Sequence, residues 1–219
     1  LADELGVSRS TIRMAISKLQ DRNMVQRRQG VGTYVRELIK IPNPLDEFID
    51  FSYLIKQTGY QPGYRTYAKI VELNDDMLDV LQLPSGSLVL DQRKIFTADD
   101  DPFIYVINHI PVWVFEDAIS HEEALKPDLT DPFVEFFELT CRQKISHFVL
   151  TVRADIYENI DPPTELVNDG PHTPVLVVDE TGFNEDDQPI VHSREFHPGN
   201  WMTFQLIRRL GNHYYSDTI

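Results

Sequence analysis

The stretch GVSRSTIRMAISKLQ, residues 6–20, decides how the front of this chain folds. Gly6 permits a tight turn, and Ser8 is a suitable N-cap for a helix that runs to about Arg22. At about 100° per residue, such a helix separates an apolar stripe from a polar one. The apolar stripe consists of Ile12, Ala15, Ile16 and Leu19, and the polar stripe beside it of Arg9, Ser10, Arg13, Ser17 and Gln20.

The charge of the chain is divided unevenly between its first forty residues and the remainder. The 219 residues carry a formal net charge of −15. Residues 1–40 contain eight Lys/Arg against four Asp/Glu, a balance of +4, which leaves −19 for the other residues. Only the basic segment would be attracted to a polyanion, because the acidic part would repel it. We therefore expect two domains with different partners.

The segment after the helix, VQRRQGVGTYV (residues 25–35), has the pattern of two short strands around a glycine-containing turn. Gly30 and Gly32 permit the positive φ angles that such turns need. The next segment, residues 37–44, contains two prolines and lies where the charge changes sign, so it is the predicted linker.

A helix followed by a basic, glycine-tipped hairpin is what a winged helix-turn-helix requires. The helix would enter the major groove of DNA, where Arg9 and Arg13 could bond guanine bidentately. Arg27 and Arg28 of the hairpin could neutralise phosphates. The competing interpretation is a solvated polar helix face with no ligand.

The remainder of the chain predicts an α+β domain with a mainly antiparallel sheet, since strand-like segments follow one another across tight turns. A helix is predicted at 46–59, and short helices at 75–83, 131–139 and 163–169. Strands are predicted at 64–73, 88–98, 102–111, 145–157, 173–184, 189–197 and 201–210.

Several classes of protein find no support in the sequence. No run of about 18 apolar residues predicts a membrane span, and no signal pattern predicts export. The single cysteine, Cys141, cannot form an internal disulfide and lies in an apolar neighbourhood, which agrees with a cytoplasmic protein and a structural thiol. No metal-ligand spacing, nucleophile elbow or nucleotide loop is present, so we expect no catalytic residue, metal or cofactor.

Residues 1–35 resemble the winged-helix domain of GntR-family bacterial repressors almost position by position. The family pattern L-A-x-x-x-x-V-S-R-x-T-V-R-x-A-[IL]-x-x-L, followed by a hairpin ending G-x-G-T-[FY]-V, is matched by LADELGVSRSTIRMAISKL and GVGTYV. The resemblance implies DNA contacts at Ser8, Arg9, Ser10, Thr11 and Arg13, with Gln29 and Gly30 at the tip of the wing. Family members carry a further helix upstream, so we expect an N-terminally truncated form.

The second domain is similar to the UTRA effector domain of the HutC-like GntR subfamily, which is related in fold to chorismate lyase. The similarity rests on GYQP, on LQLPSGSLVLDQRKIFTADDDPFIYVINHIP and on DDQPIVHSREFHPGNW. It implies a homodimer whose affinity for an operator in double-stranded DNA changes when a small molecule binds. The predicted organisation is a DNA-binding domain at 1–36, a linker at 37–44 and an effector domain at 45–219.

A small-molecule pocket needs a few polar groups that converge in apolar surroundings. Arg93 and Lys94 lie on opposite faces of their strand, so only one is expected to point inward. The predicted effector residues are Tyr64, Arg65, Arg93, Tyr105, Asn108, His109, Arg153, His192 and Arg194.

At several positions the chain departs from the subfamily pattern, and these departures indicate which kinds of ligand it binds. Val106 stands where the subfamily often has Glu, and Pro132, Phe133 and Val134 stand where sugar-phosphate-responsive members have Ser-Leu-Tyr. The usual phosphate clamp is therefore incomplete, and the acidic charge does not favour a polyanionic ligand. Two alternatives remain open: a ligand-binding and dimerisation module without DNA binding, and an enzyme related to the lyase.

Overall fold

The computed structural model describes most of the chain in two compact units. The described residues are 2, 4–21, 25–28, 32–35, 43–45, 47–57, 59–127, 129, 132–160, 172–198 and 204–206. Residues 1–48 and 203–219 belong to the first unit, and residues 49–202 to the second.

The first unit contains the predicted helix and hairpin. Helix α1 spans Arg9–Asp21, and strands β1 (Val25–Arg28) and β2 (Gly32–Val35) pair antiparallel, so both predictions are confirmed. Gly32 has a φ of 144°, as the turn chemistry requires. Two further short strands, β3 (Asn43–Pro44) and β10 (Phe204–Gln205), pair parallel.

The second unit contains six long strands: β4 (Pro62–Glu72), β5 (Leu88–Ala98), β6 (Asp101–Pro111), β7 (Ile145–Ile156), β8 (Pro174–Asn184) and β9 (Pro189–Pro198). They form one antiparallel sheet with the order β4-β5-β6-β9-β8-β7. Two three-stranded meanders, β4–β5–β6 and β7–β8–β9, join through the β6–β9 pair. The predicted fold class is therefore confirmed.

Short helices connect these strands. They are α2 (Phe51–Gln57), α3 (Asp75–Val80), α4 (His121–Ala124) and α5 (Phe133–Glu135), the last continuing as a π-helical turn over Phe136–Thr140. Helix α4 was not predicted, although Ser120 and Glu123 form a capping box at its start. The helix predicted at 163–169 lies outside the described residues, as does most of the segment predicted as a strand at 201–210.

Apolar side chains pack on both faces of the sheet. On one face, Leu90, Ile110 and Val191 pack with Phe115 and Phe137, and Phe96, Ile104 and Val106 pack with residues of α2 in a neighbouring cluster. A smaller cluster on the opposite face contains Ile95, Tyr105, Tyr157, Val177 and Phe196. Cys141 is buried in the first cluster, and burial raises the pKa of its thiol to about 12, so it is a structural thiol as predicted.

Candidate functional site

Helix α1 exposes all five residues predicted to contact DNA on this helix. The side chains of Ser8, Arg9, Ser10, Thr11 and Arg13 are exposed, whereas Ile12, Ile16 and Leu19 are half-buried. Ala15, which was predicted to belong to the apolar stripe, is exposed. The helix therefore presents a polar surface that includes both arginines.

Ser8 holds the start of α1 in place. The backbone N–H of Thr11 donates to Ser8 Oγ at 3.1 Å, which confirms the predicted N-cap. Ser8 Oγ also lies 2.7 Å from Ser10 Oγ and 2.8 Å from Thr11 Oγ1. The three hydroxyl groups thus form a single hydrogen-bonded set at the front of the helix.

The β1–β2 hairpin follows α1 directly in the chain. Arg28 pairs with Gly32, so β1 and β2 meet at the position of the predicted wing tip. The side chains of Arg27 and Arg28, and residues Gln29 and Gly30, lie outside the described part of the structure.

The sheet of the second unit has two faces with different chemistry. Residues directly opposite one another on paired strands share a face. Seven of the nine predicted effector residues lie on one face, which we call the arginine face: Arg65, Arg93, Tyr105, His109, Arg153, His192 and Arg194. Tyr64 and Asn108 lie on the opposite face, which we call the core face and which also carries Lys94, Glu180 and Glu195.

Asp91 organises the first half of the arginine face. Its carboxylate accepts hydrogen bonds from Nε and a terminal nitrogen of Arg93, both at 3.3 Å. Lys69 Nζ lies 3.6 Å from it and His109 Nε2 lies 4.0 Å from it. Burial lowers the pKa of His109 to about 4, although the charge of Asp91 opposes this change. His109 is therefore neutral near pH 7.

Asp179 organises the second half in a similar way. It accepts a hydrogen bond from Arg194 Nε, and Arg153 Nε and His192 Nε2 lie 3.6 Å and 3.7 Å away. Burial alone would raise the pKa of Asp179, but His192, Arg194 and Arg153 outweigh burial and lower it to about 2. The cations of this face are thus largely neutralised by carboxylates of the same chain.

The core face contains an unusual number of buried polar side chains. Asn108 Nδ2 donates to Gln92 Oε1 at 3.2 Å, and Ser193 Oγ donates to Asn108 Oδ1 at 2.7 Å. The Lys94 side chain is also buried, and its Nζ lies 4.4 Å from the centroid of the Tyr64 ring. Buried polar groups are costly unless they are paired, so this cluster requires an explanation.

Two buried carboxylates stand out in this cluster. Glu180 is 9% exposed and Glu195 is 8% exposed. Glu195 Oε2 lies 2.9 Å from Nε2 of the fully buried His197. Burial raises the pKa of both carboxyl groups to about 8, and the charge of Glu195 contributes to the change at Glu180. Strongly perturbed carboxyl groups of this kind are typical of functional sites.

Comparison with known families decides the identity of the chain. Residues 57–203 match the UTRA domain, and residues 1–35 match the bacterial regulatory proteins of the gntR family. The chain belongs to the GntR family of transcriptional regulators with a UTRA domain. The resemblance seen in the sequence is thereby confirmed.

Relatives agree with this assignment over most of the chain. The HTH-type transcriptional regulator YurK of Bacillus subtilis is 25% identical over 215 residues, which cover 94% of this chain and 82% of YurK. The HTH-type transcriptional repressor NagR of the same species is 21% identical over 210 residues, covering 93% of this chain and 80% of NagR. The crystal structure of PhnF from Mycobacterium smegmatis superposes with a TM-score of 0.59 at 19% identity, covering 96% of this chain and 89% of that one.

Within the UTRA domain, the effector set predicted from the sequence includes only two residues of the core face, Tyr64 and Asn108. That set does not include Glu180, His197 or Gln92, and of the pair Arg93 and Lys94 it includes Arg93. Lys94 is the buried member of that pair, whereas the Arg93 side chain is 40% exposed. Strand alternation puts the two residues on opposite faces but does not say which face is covered.

No helix in the described part of the chain is long and apolar enough to cross a membrane.

Proposed function

We propose that this chain is a cytoplasmic repressor that binds an operator in double-stranded DNA through α1 and the β1–β2 hairpin. The observation that supports this most strongly is the shared exposure of Ser8, Arg9, Ser10, Thr11 and Arg13 on α1. A recognition helix must present donors of this kind to base edges in the major groove. Arg27, Arg28, Gln29 and Gly30 would contact the phosphate backbone from the wing.

The proposed regulator acts as a homodimer held by the UTRA domain, with residues 37–44 as the linker. Two recognition helices about one turn of DNA apart would then read a palindromic site. A small molecule bound to the UTRA domain would change operator affinity only if it favoured one conformation of the dimer over another.

The core face is the proposed effector site, with Tyr64 and Asn108 from the predicted set beside Lys94, Glu180 and Glu195. Buried polar groups that converge within an apolar surround are what a small-molecule site requires. The arginine face is the alternative, because the buried Nδ1 atom of His109 has no hydrogen-bond partner among the described residues. Arg65, Arg93, Tyr105, Arg153, His192 and Arg194 would complete that alternative site.

Substitution of the helix arginines tests the DNA-binding proposal. Arg9→Ala and Arg13→Ala should each weaken operator binding about 5- to 150-fold, the equivalent of about 1–3 kcal/mol for a base-reading arginine. Fluorescence anisotropy with an operator selected from genomic DNA by the full chain measures the change. Arg28→Ala should weaken binding to all sequences and reduce the salt dependence.

Lys18→Ala is the matched control, because Lys18 is exposed on the same helix and lies about 180° around its axis from Arg9. Its operator affinity should remain close to that of the unsubstituted chain. If Arg9→Ala, Arg13→Ala and Lys18→Ala all bind the operator as tightly as the unsubstituted chain, α1 has no recognition role. That result would favour a module that binds ligand without DNA. Turnover of chorismate would favour the enzyme interpretation.

A further inference from the structure

We propose that the effector carries a protonated amine and that Glu180 and Glu195 bind this amine on the core face. The inference rests on the proposed function, since it names the chemical class of the ligand for the same site. Glu180 lies opposite Ser193, and Glu195 lies opposite Val178, so the two carboxylates are diagonal neighbours on one face of adjacent strands. Two acceptors at this spacing can share one donor group.

Glu180 is the residue that points to a missing ligand. The residue as a whole is 9% exposed, and no residue in the described part of the chain forms a hydrogen bond or an ion pair with its side chain. A buried carboxylate in this state is expensive unless a proton or a cation compensates it. Its neighbour Glu195 uses Oε2 in the contact with His197, and no hydrogen bond to Oε1 forms within the described part of the chain.

Burial provides the physical reason why a cation would bind. It raises the pKa of both carboxyl groups to about 8, so each retains a proton over much of the neutral range. A cation placed between the two groups would allow both to ionise and would gain charge-assisted hydrogen bonds from each. The cluster would then act as a receptor for positive charge.

The rest of the cluster narrows the class of cation. The described residues include no group of three or more His, Cys, Asp or Glu that could hold a metal ion, so an organic cation is the better fit. An ammonium group has three N–H donors, which match the available carboxylate oxygens. Lys94 Nζ lies over the rings of Tyr64 and Phe96, at 4.4 Å and 5.3 Å from their centroids, and gives the same face a positive charge for any anionic part of the ligand.

Thermal shift and calorimetry on the full chain test this assignment. The probes are 1,4-diaminobutane, ethanolamine, L-lysine and glucosamine, each compared with its N-acetylated form. At least one amine should raise the Tm by several degrees, and its acetylated form should not. Glu180→Gln and Glu195→Gln should each weaken binding of that amine at least tenfold while leaving the unliganded Tm intact or raised. Glu72→Gln, an exposed carboxylate on β4, is the control and should bind normally.

Three results would overturn the inference: no amine in the set shifts the Tm, an acetylated probe binds as tightly as its amine, or both Gln variants bind the amine as well as the unsubstituted chain. Operator binding is measured on the same samples. An amine that binds through Glu180 and Glu195 without changing operator affinity would support the ligand assignment and contradict the proposed regulatory function. If the unliganded chain does not bind any operator sequence-specifically, the proposed regulatory function is contradicted, whether or not an amine binds.

Discussion

The two faces of the UTRA sheet differ in how their carboxylates are compensated and how deeply they are buried. On the arginine face, Asp91 and Asp179 lie within 4.0 Å of arginine, lysine or histidine nitrogens, and the arginine and lysine side chains are 40–44% exposed. On the core face, Glu180 and Glu195 are buried side by side, and their pKa values are raised. Abundant charge on a sheet therefore does not identify a binding site. Buried charge that the chain itself leaves uncompensated is the more specific sign.

The largest expected difference between the faces is in pH dependence. The folded pKa values of Glu180 and Glu195 lie near 8, above their ordinary value, so their stabilising contribution is complete below about pH 4.5 and is lost as the pH rises through 8. The Tm of the unliganded chain should fall between pH 6.5 and pH 9. The Glu180→Gln/Glu195→Gln double variant should show a much flatter profile in differential scanning fluorimetry.

The arginine face should not contribute to that change. The pKa of Asp179 is lowered to about 2, so its stabilising contribution is present above its ordinary pKa of 3.8 and is lost only as the pH falls toward 2. A double variant that loses stability between pH 6.5 and pH 9 as steeply as the unsubstituted chain would show that the core-face carboxyl groups do not titrate in this range.

The second largest effect is expected at Asp179. Replacement by Ala removes the carboxylate that Arg153, His192 and Arg194 share, and leaves three cationic or polar groups without their acceptor. Because the arginines are 40% exposed, we expect a loss of about 2 kcal/mol, less than for a fully buried pair. Urea unfolding followed by tryptophan fluorescence measures it.

Glu180→Ala provides the contrast for Asp179→Ala. It removes a carboxylate that has no ion-pair partner among the described residues, so at pH 8 it should cost less stability than Asp179→Ala. The opposite order would mean that the arginine-face network contributes less to stability than its geometry indicates.

The smallest effect is expected for Asp91→Asn. The charge of Asp91 raises the pKa of His109 against the stronger effect of burial, so its removal should move that pKa further below about 4. Titration of the His109 ring protons by NMR measures the change, with His172, which is exposed, as an internal reference. A rise in the pKa of His109 in the variant would show that the charge of Asp91 does not oppose the effect of burial.

The sequence predicted the elements of this fold better than the relation between them. Strand β5 has the predicted bounds of 88–98, because β-branched and aromatic residues and clear turns define it locally. Helix α1 and the Ser8 cap were also local signals. The short helix α4 was missed because a four-residue helix has almost no periodicity to detect.

The candidate effector site depended on information that the sequence does not contain locally. Only the pairing of the strands shows that seven predicted residues share the arginine face. Alternation by itself only places neighbouring residues of one strand on opposite faces. It could not show that Lys94 rather than Arg93 is covered, since the covering residues come from distant parts of the chain. Glu180 gave no signal either, because its pairing with Glu195 on the neighbouring strand follows only from the β8–β9 register.

The pairing of the two meanders has a further consequence for the order in which the protein folds. Asn108 and Ser193, which meet at the β6–β9 junction, are 85 residues apart in the chain, so this junction closes a long loop and should form late and slowly. Among the described residues, the ion-pair partners of Asp91 lie in the first meander, and those of Asp179 lie in the second. The core-face cluster instead combines Lys94 from the first meander with Glu180 and Glu195 from the second. A folding intermediate stopped before this closure would possess both ion-pair networks and lack the proposed effector site.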